Sequence, residues 1–421
     1  MSETINVKTT HWAEVDENGR LILPPDIAQH YGIKPGAQLR LDTDANSVRL
    51  HRPTSHLAKV YLEPTNRCNL DCITCMRHNW DVEYGQMSAA TFRRLLDSLA
   101  EVGPPLTVFF GGIGEPLAHP HTIDMIRQVK ELGLSVEIIT NGTLLDEKRA
   151  KGLIAAGLDT LWVSIDGSRP ESFADVRLGA ELPNVIANLR RFRHLRPPSH
   201  RPQPAIGINF VAMKRNIADL PDVLKLAKRL GAAKFSVSNV LPYTAEMARE
   251  ILYEETLMSI TYLPSPWLRT LNLPKMDFNE LTGEPLLKAF ASGYNVTFAG
   301  NNLGGSNDVC TFIESGSVAV GWNGRLAPCS PLLYQHTGYL RGYERLSHPH
   351  FIGDIHQHTL LEIWQDPAYA DYRDRVQRFA FAPCTYCGGC DLSRDNNTDC
   401  FDNAAPACGG CLWAQAVIQC P

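Results

Sequence analysis

The stretch Lys59-Val60-Tyr61-Leu62-Glu63-Pro64-Thr65-Asn66-Arg67-Cys68-Asn69-Leu70-Asp71-Cys72-Ile73-Thr74-Cys75 decides how this chain is read. An apolar run, Ala58 to Leu62, leads into a loop whose cysteines are spaced Cys68-x3-Cys72-x2-Cys75. Three thiolates can hold three corners of an iron–sulfur cube, where an ordinary cluster takes four. The fourth iron is then open, and an open coordination position separates a reactive metal site from a structural one. A plain four-cysteine cluster, or a zinc knuckle that borrows a distant ligand, is the structural alternative for such spacing.

A second apolar run, Leu106 to Phe110, is followed by Gly111-Gly112-Ile113-Gly114-Glu115-Pro116. Glycine lets the backbone come close to a ligand, and a carboxylate offers an acceptor for an ammonium. The cysteine loop and this glycine motif together resemble the radical S-adenosylmethionine (radical SAM) superfamily. The resemblance implies that Cys68, Cys72 and Cys75 hold a [4Fe-4S] cluster whose free iron is chelated by SAM. It assigns Gly111, Gly112, Gly114 and Glu115 to the SAM amino group. It implies reductive cleavage of SAM to a 5′-deoxyadenosyl radical that abstracts hydrogen from a substrate. One departure is Thr74, where the family often has an aromatic residue.

The chain of 421 residues has room for two or three domains, and its composition is that of an ordinary soluble protein. A formal charge of −5 gives no electrostatic case for nucleic acid or an anionic membrane as main partner. Met1-Ser2-Glu3-Thr4-Ile5 has no basic region before an apolar core, so no signal peptide is expected. No apolar stretch approaches the roughly 20 residues of a membrane span. Twelve cysteines without an export signal point to a reducing cytoplasm and to metal ligation rather than disulfides.

Residues 1–54 read as a small unit. Short strands at 13–16 and 20–23 flank the turn Glu17-Asn18-Gly19, a helix runs from Pro24 to Tyr31, and strands follow at 38–41 and 47–50. The run Glu17 to Pro24 with Gly32-Ile33-Lys34-Pro35-Gly36 resembles the AbrB-like swapped-hairpin fold, known from dimeric DNA-binding regulators and antitoxins. DNA binding needs phosphate-neutralising charge, yet residues 1–56 carry six Lys and Arg against seven Asp and Glu. A homodimer, or docking of a protein substrate, is the expectation here.

Residues 55–250 alternate strand and helix, which reads as βα repeats on a parallel sheet. Strands are expected near Val60, Thr107, Val136, Leu161, Ile206 and Phe235. Helices are expected at Ala89–Ala100, Thr122–Leu132, Asp146–Ala156, Asn184–Arg193 and Leu220–Leu230. The fold class is therefore α/β, a partial (β/α)6 TIM-like barrel, with its chemistry at the C-terminal strand ends. Asn141, Ser164, Asp166 and Asn209 fall at such ends, and the resemblance assigns them to the SAM ribose, carboxylate and adenine. Asn-Gly and Asp-Gly also mark ordinary turns. His119 and His121 are expected to cap the next helix. Residues 251–305, with Leu263-Pro264-Ser265-Pro266 and Asn301-Asn302-Leu303-Gly304-Gly305, read as a linker or a region over the barrel mouth.

Nine cysteines lie in residues 306–421: Cys310, Cys329, Cys384, Cys387, Cys390, Cys400, Cys408, Cys411 and Cys420. The pair Cys384-x2-Cys387 with Cys408-x2-Cys411 has the spacing of a zinc ribbon, which would leave five cysteines idle. Cys310-x13-Gly324-x4-Cys329, with the later pairs and Cys420, resembles the SPASM domain of radical SAM maturases. That domain holds two auxiliary [4Fe-4S] clusters, so eight ligands suffice and nine are present. His348, His350, His356 and His358 are expected to be surface or satisfied polar groups.

The three parts together resemble the radical SAM maturases associated with tungsten-cofactor oxidoreductases of the aldehyde ferredoxin oxidoreductase type. The implied function is radical modification of a partner protein or peptide, with a ferredoxin or flavodoxin as electron donor. The rivals are a peptide maturase forming thioether or carbon–carbon crosslinks, an anaerobic sulfatase-type maturase, and a non-catalytic iron–sulfur redox sensor that regulates transcription. No catalytic side chain, modified residue or bond can be named from the sequence.

Overall fold

The computed structural model describes residues 11–43, 48–79, 82–254, 270–274, 276–290, 295–298, 301–302, 310–340, 342–382, 384–387, 390–415 and 417–420. The N-terminal unit has two antiparallel hairpins, β1 (Glu14–Val15) with β2 (Leu21–Ile22) and β3 (Leu41–Thr43) with β4 (Val48–Leu50). Helix α1 (Pro25–His30) lies between them. The strand expected from residue 38 begins only at Leu41, although the His51 N–H still donates to Arg40 O at 3.0 Å. Val15, Leu21, Ile22, Leu41 and Val48 are all exposed.

The barrel strands form where the sequence placed them: β5 (Lys59–Leu62), β6 (Thr107–Phe110), β7 (Ser135–Thr140), β8 (Thr160–Ser164), β9 (Ala205–Ala212) and β10 (Lys234–Asn239). Each pairs in parallel with the next. The connections carry α2 (Ala89–Val102), α3 (Thr122–Glu131), α4 (Glu147–Ala155), the short α5 (Pro170–Ala174), α6 (Leu182–Leu195) and α7 (Leu220–Leu230). Local chemistry sets their ends. Ser88 Oγ accepts the Thr91 N–H at the start of α2, a cap worth about 1 kcal/mol, and Gly231 in the left-handed region stops α7.

Alternation explains the layering. Val60 and Leu62 are fully buried on one face of β5, while Lys59 and Tyr61 point to the other. There the Lys59 ammonium lies 4.5 Å from the ring centres of both Tyr61 and Phe109. Glu137 on β7 takes Lys59 of β5 at 4.0 Å and Lys234 of β10 at 3.0 Å. The first and last strands of the six thus reach one carboxylate, which requires the sheet to curl into a partial barrel.

Much of 251–305, including 263–266 and 303–305, lies outside the described residues. Its described parts are β11 (Thr270–Leu273), α8 (Gly283–Phe290), β12 (Asn295–Phe298) and β13 (Asn301–Asn302), the three strands forming one small sheet. Next come α9 (Thr311–Glu314), β14 (Ser317–Val320) and β15 (Arg325–Ala327), then the hairpin of β16 (His336–Leu340) and β17 (Tyr343–Ser347). The short β18 (Gly353–Asp354), α10 (Leu360–Gln365) and α11 (Pro367–Gln377) follow.

Strand β14 does not stay within a separate domain: it pairs in parallel with β5, from Ser317 opposite Lys59 to Val320 opposite Leu62. Strands β15 and β18 extend the same sheet to nine strands. Residues 51–56 are pinned from the C-terminal half, where Trp364 Nε1 donates to Ser55 O at 2.9 Å and Gln377 Nε2 to Arg52 O at 2.8 Å. No described helix is long and apolar enough to cross a membrane.

Candidate active site

The cysteine loop leaves the top of β5 and is clasped on both sides. Thr65 Oγ1 donates to Gly85 O at 2.6 Å, and the Gly85 N–H donates to Asn66 Oδ1 at 2.7 Å. On the other side the Asp71 and Ile73 N–H groups donate to Leu178 O and Val176 O, both at 3.1 Å. The glycine motif packs directly on this loop. A Cβ on Gly114 would lie 2.1 Å from Thr65 O, and the Glu115 N–H donates to Arg67 O at 2.8 Å. Only a glycine lets two backbones approach so closely.

Cys68, Cys72 and Cys75 line one cavity of about 230 Å³ together with Gly112, Gly114, Glu115, Asn141, Ser164 and Arg177. Each thiol has an N–H donor beside it: Asn141 Nδ2 at 3.8 Å from Cys68, Arg177 Nη1 at 3.9 Å from Cys72, and Arg77 Nε at 3.1 Å from Cys75. Burial pushes the Cys68 and Cys72 thiols up, and Arg177 beside Cys72 works the other way. Donors and cations around three sulfurs suit thiolates that carry a metal cluster, whose ligands must be deprotonated. Asn141 and Ser164 add polar side chains to the cavity wall, while buried Asn209 Oδ1 on β9 has no hydrogen-bond partner among the described residues. The residues present therefore fit a three-thiolate cluster with a polar ligand beside it.

Other sequence-assigned residues act differently. Glu115 is buried, and its carboxylate already accepts from Leu117 N at 3.0 Å, Thr140 Oγ1 at 2.7 Å and Asn141 N at 2.7 Å. It ties the end of β6 to the end of β7, with one lone pair of Oε2 left over. Asp166 stands outside the lining. It is fully buried off the cavity wall, and its oxygens accept from Val211 N at 2.7 Å and Arg177 Nε at 2.5 Å. It holds the guanidinium that reaches the cavity. Gly111 and Asn209 also stand outside the lining. His121 occupies the N-terminal position of α3 without a side-chain cap, while His119 is buried, with Nε2 3.0 Å from Met87 O.

Sequence reasoning passed over Arg77, Arg177 and Glu63. Arg77 follows Cys75 by two residues, a signal that could have been used. Arg177 becomes visible only through its buried partner. Glu63 is buried where the cysteine loop begins, and desolvation pushes its carboxyl up to about 7.

The later cysteines fall into groups. Cys310, Cys329, Cys408 and Cys411 lie within electrostatic reach of one another, and burial raises all four, Cys310 to about 12. The Tyr372 hydroxyl lies 3.2 Å from Cys408 Sγ. Cys384 is within reach of Cys390 and Cys400, and the side chain of Cys387 lies outside the described residues. Cys420 belongs to neither group. It is exposed, near Lys59 and Trp413, on a tail whose Gln419 N–H donates to Ser238 Oγ at 3.0 Å. Among the described residues, no three His, Cys, Asp or Glu side chains are close enough to hold a single metal ion.

The contact at Gly114 makes a direct prediction. Gly114→Ala must push the Thr65–Arg67 backbone away, so anaerobic iron–sulfide reconstitution should fill less than half of the three-cysteine site. Iron analysis and visible absorption of the variant measure this; iron loading equal to wild type would show that the loop tolerates the Cβ.

Residues 62–238 match the radical SAM superfamily, and residues 310–391 match an iron–sulfur cluster-binding domain, SPASM. The chain is 31% identical over 367 residues to the tungsten-containing aldehyde ferredoxin oxidoreductase cofactor-modifying protein of Pyrococcus furiosus, covering 86% of this chain and 96% of that one. It is 32% identical over 197 residues to the PqqA peptide cyclase of Gluconobacter oxydans, covering 45% of this chain and 50% of that one. Its fold resembles that of native anSMEcpe with bound AdoMet and Cp18Cys peptide, with a TM-score of 0.51 and 18% identity, over 85% of this chain and 95% of that one. Three thiols in one cavity at the barrel mouth, the glycine motif laid against them and similarity along nearly the whole chain agree. The chain belongs to the radical SAM superfamily, as an enzyme whose barrel binds a [4Fe-4S] cluster and SAM and whose SPASM domain binds auxiliary iron–sulfur clusters.

Proposed function

We propose that this enzyme acts in the maturation of a tungsten-containing oxidoreductase of the aldehyde ferredoxin oxidoreductase type, by radical modification of a partner protein or peptide. The observation that carries this reading is the similarity to the Pyrococcus furiosus protein, which the chain matches over 96% of its length. The name of that protein makes a cofactor its target, so the oxidoreductase polypeptide and its cofactor are both to be examined. A second reading, modification of a short peptide, is favoured by the similarity to a peptide cyclase. Twelve cysteines suit a reducing compartment, and we place the reaction in the cytoplasm with a ferredoxin or flavodoxin as donor.

When bound together, the cluster and SAM supply one-electron reductive cleavage and a hydrogen-abstracting radical. Cys68, Cys72 and Cys75 hold the cluster in this reading. Gly112 and Gly114 bring backbone up to SAM, and Asn141 and Ser164 supply polar contacts. Asp166 holds the Arg177 guanidinium at the cavity, where it attracts anionic groups such as a carboxylate. Cys310, Cys329, Cys408 and Cys411 form one auxiliary ligand set, and Cys384, Cys387, Cys390 and Cys400 the other. Cys420 stands outside both. The exposed apolar faces of β1–β2 and β3–β4 support a homodimer, since an isolated two-stranded hairpin is marginally stable at best in water.

Four measurements check these assignments. Reduced, reconstituted enzyme should cleave SAM to 5′-deoxyadenosine, and the triple variant Cys68→Ala, Cys72→Ala, Cys75→Ala should lose that activity and about four irons. Mass spectrometry of the oxidoreductase and its extracted cofactor, made with and without this enzyme, should then show a mass difference; no change in either rejects the tungsten assignment.

Cys408→Ala should remove about four irons, whereas Cys420→Ser should leave iron and sulfide unchanged. Loss of a cluster from the Cys420 variant would make it a ligand.

For the dimer, sedimentation should give twice the chain mass for the wild type and the single mass for Leu21→Asp with Val48→Asp. A monomeric wild type would count against it.

A further inference from the structure

We propose that Glu63 and Tyr334 form a buried joint through which the SPASM domain holds the glycine loop in its SAM-binding position, making Glu63 a positioning residue for SAM. The inference rests on the assignment of SAM to the cavity beside Cys68, Cys72 and Cys75. It does not depend on the tungsten reading.

Glu63 directly follows β5, and its carboxylate is buried. One oxygen, Oε1, accepts the Ile113 N–H at 3.0 Å. The neighbouring Gly112 has a φ of +123°, and a Cβ there would lie 2.6 Å from both Cγ and Oε1 of Glu63. The loop backbone that lines the cavity is thus laid flat on this carboxylate. The other oxygen, Oε2, accepts the Tyr334 hydroxyl, and the Trp322 backbone N–H also donates to the carboxylate. Tyr334 follows Cys329 by five residues, and Trp322 lies in the turn between β14 and β15. One carboxylate therefore collects donors from the glycine loop of the barrel and from the segment that carries an auxiliary cysteine.

A buried carboxylate is stable as an anion only while such donors satisfy it. Burial raises the Glu63 carboxyl to about 7, while the bonds from Tyr334, Ile113 and Trp322 work in the opposite direction. Tyr334 is the titratable group against it among the described residues. Its own ionisation is pushed far up by burial and by Glu63, so it stays a neutral donor. As pH falls through the Glu63 pKa the carboxyl gains a proton and loses an acceptor, and the hold on Ile113 weakens. SAM affinity should therefore decline from pH 8 to pH 6.

The test is SAM binding by anaerobic equilibrium dialysis on the cluster-loaded full chain, with iron and sulfide measured in each sample. Tyr334→Phe keeps the ring and removes only the hydroxyl. This variant and Glu63→Gln should each weaken SAM about tenfold at pH 8 with unchanged iron, as the loss of one bond to a charged group implies. The double variant should be no weaker than the worse single one, because both act through one joint. Glu63→Gln should also flatten the pH dependence. Unchanged affinity in Tyr334→Phe, multiplying effects in the double variant, or weaker binding that tracks lost iron would overturn the joint. A wild type that binds no SAM would instead overturn the cavity assignment beneath it.

Discussion

Everything at the barrel mouth hangs from one four-residue strand. Lys59–Leu62 is hydrogen-bonded in parallel along both edges, to Thr107–Phe110 on one side and Ser317–Val320 on the other. Register matters here because a slip of one residue would turn Val60 and Leu62 from the buried face to the inner one. Parallel neighbours also deliver their C-terminal ends to the same place. The glycine motif after β6, the turn at Gly321-Trp322 after β14 and the cysteine loop after β5 emerge together. That shared exit lets a single residue, Glu63, be touched by both neighbours.

Buried charge marks what the mouth is built to present. Asp166 and Arg177 form an ion pair with the carboxylate fully buried and the guanidinium nearly so. Desolvating two such groups costs several kcal/mol each before their attraction is counted, so a buried pair is weak evidence of stabilisation. This pair does something a Leu–Leu contact could not: it aims a permanent cation at Cys72 and the cavity. Glu115 follows the same logic with backbone and hydroxyl donors, using a carboxylate to lock the ends of β6 and β7 against the cysteine loop. In both cases a buried carboxylate places other groups around the cavity.

The barrel and its mouth show what the sequence makes legible. The six strands and five of the helices between them follow from local periodicity and glycine stops. The cysteine and glycine motifs are legible because their spacing along the chain is itself the geometry of the site. Arg177 and Tyr334 are not: each gains its role from a partner 11 and 271 residues away in sequence, and no spacing announces such meetings. The pairing of β14 with β5 is hidden for the same reason. A four-residue apolar strand looks alike whether it joins its own domain or the barrel. The N-terminal hairpins are readable as strands, but their exposed faces can be recognised only in the fold, where the described residues leave them uncovered.

The ninth cysteine shows why a ligand count needs geometry. Eight thiols are grouped by the fold or by their spacing, and counting alone could have discarded any of the nine. The tail is fixed to the last barrel strand, where Asn239 Nδ2 donates to Val417 O at 2.8 Å and Ser238 accepts from Gln419. Cys420 meanwhile comes near Lys59 on the first strand. The tail thus runs from the last barrel strand toward Lys59 of the first, whose outer edge is already taken by β14. Drawing Cys420 into either cysteine group would strip the tail from Ser238 and Asn239, giving up two hydrogen bonds with their partners part-buried and no obvious replacement. Its anchorage on the last barrel strand sets Cys420 apart from both cysteine groups.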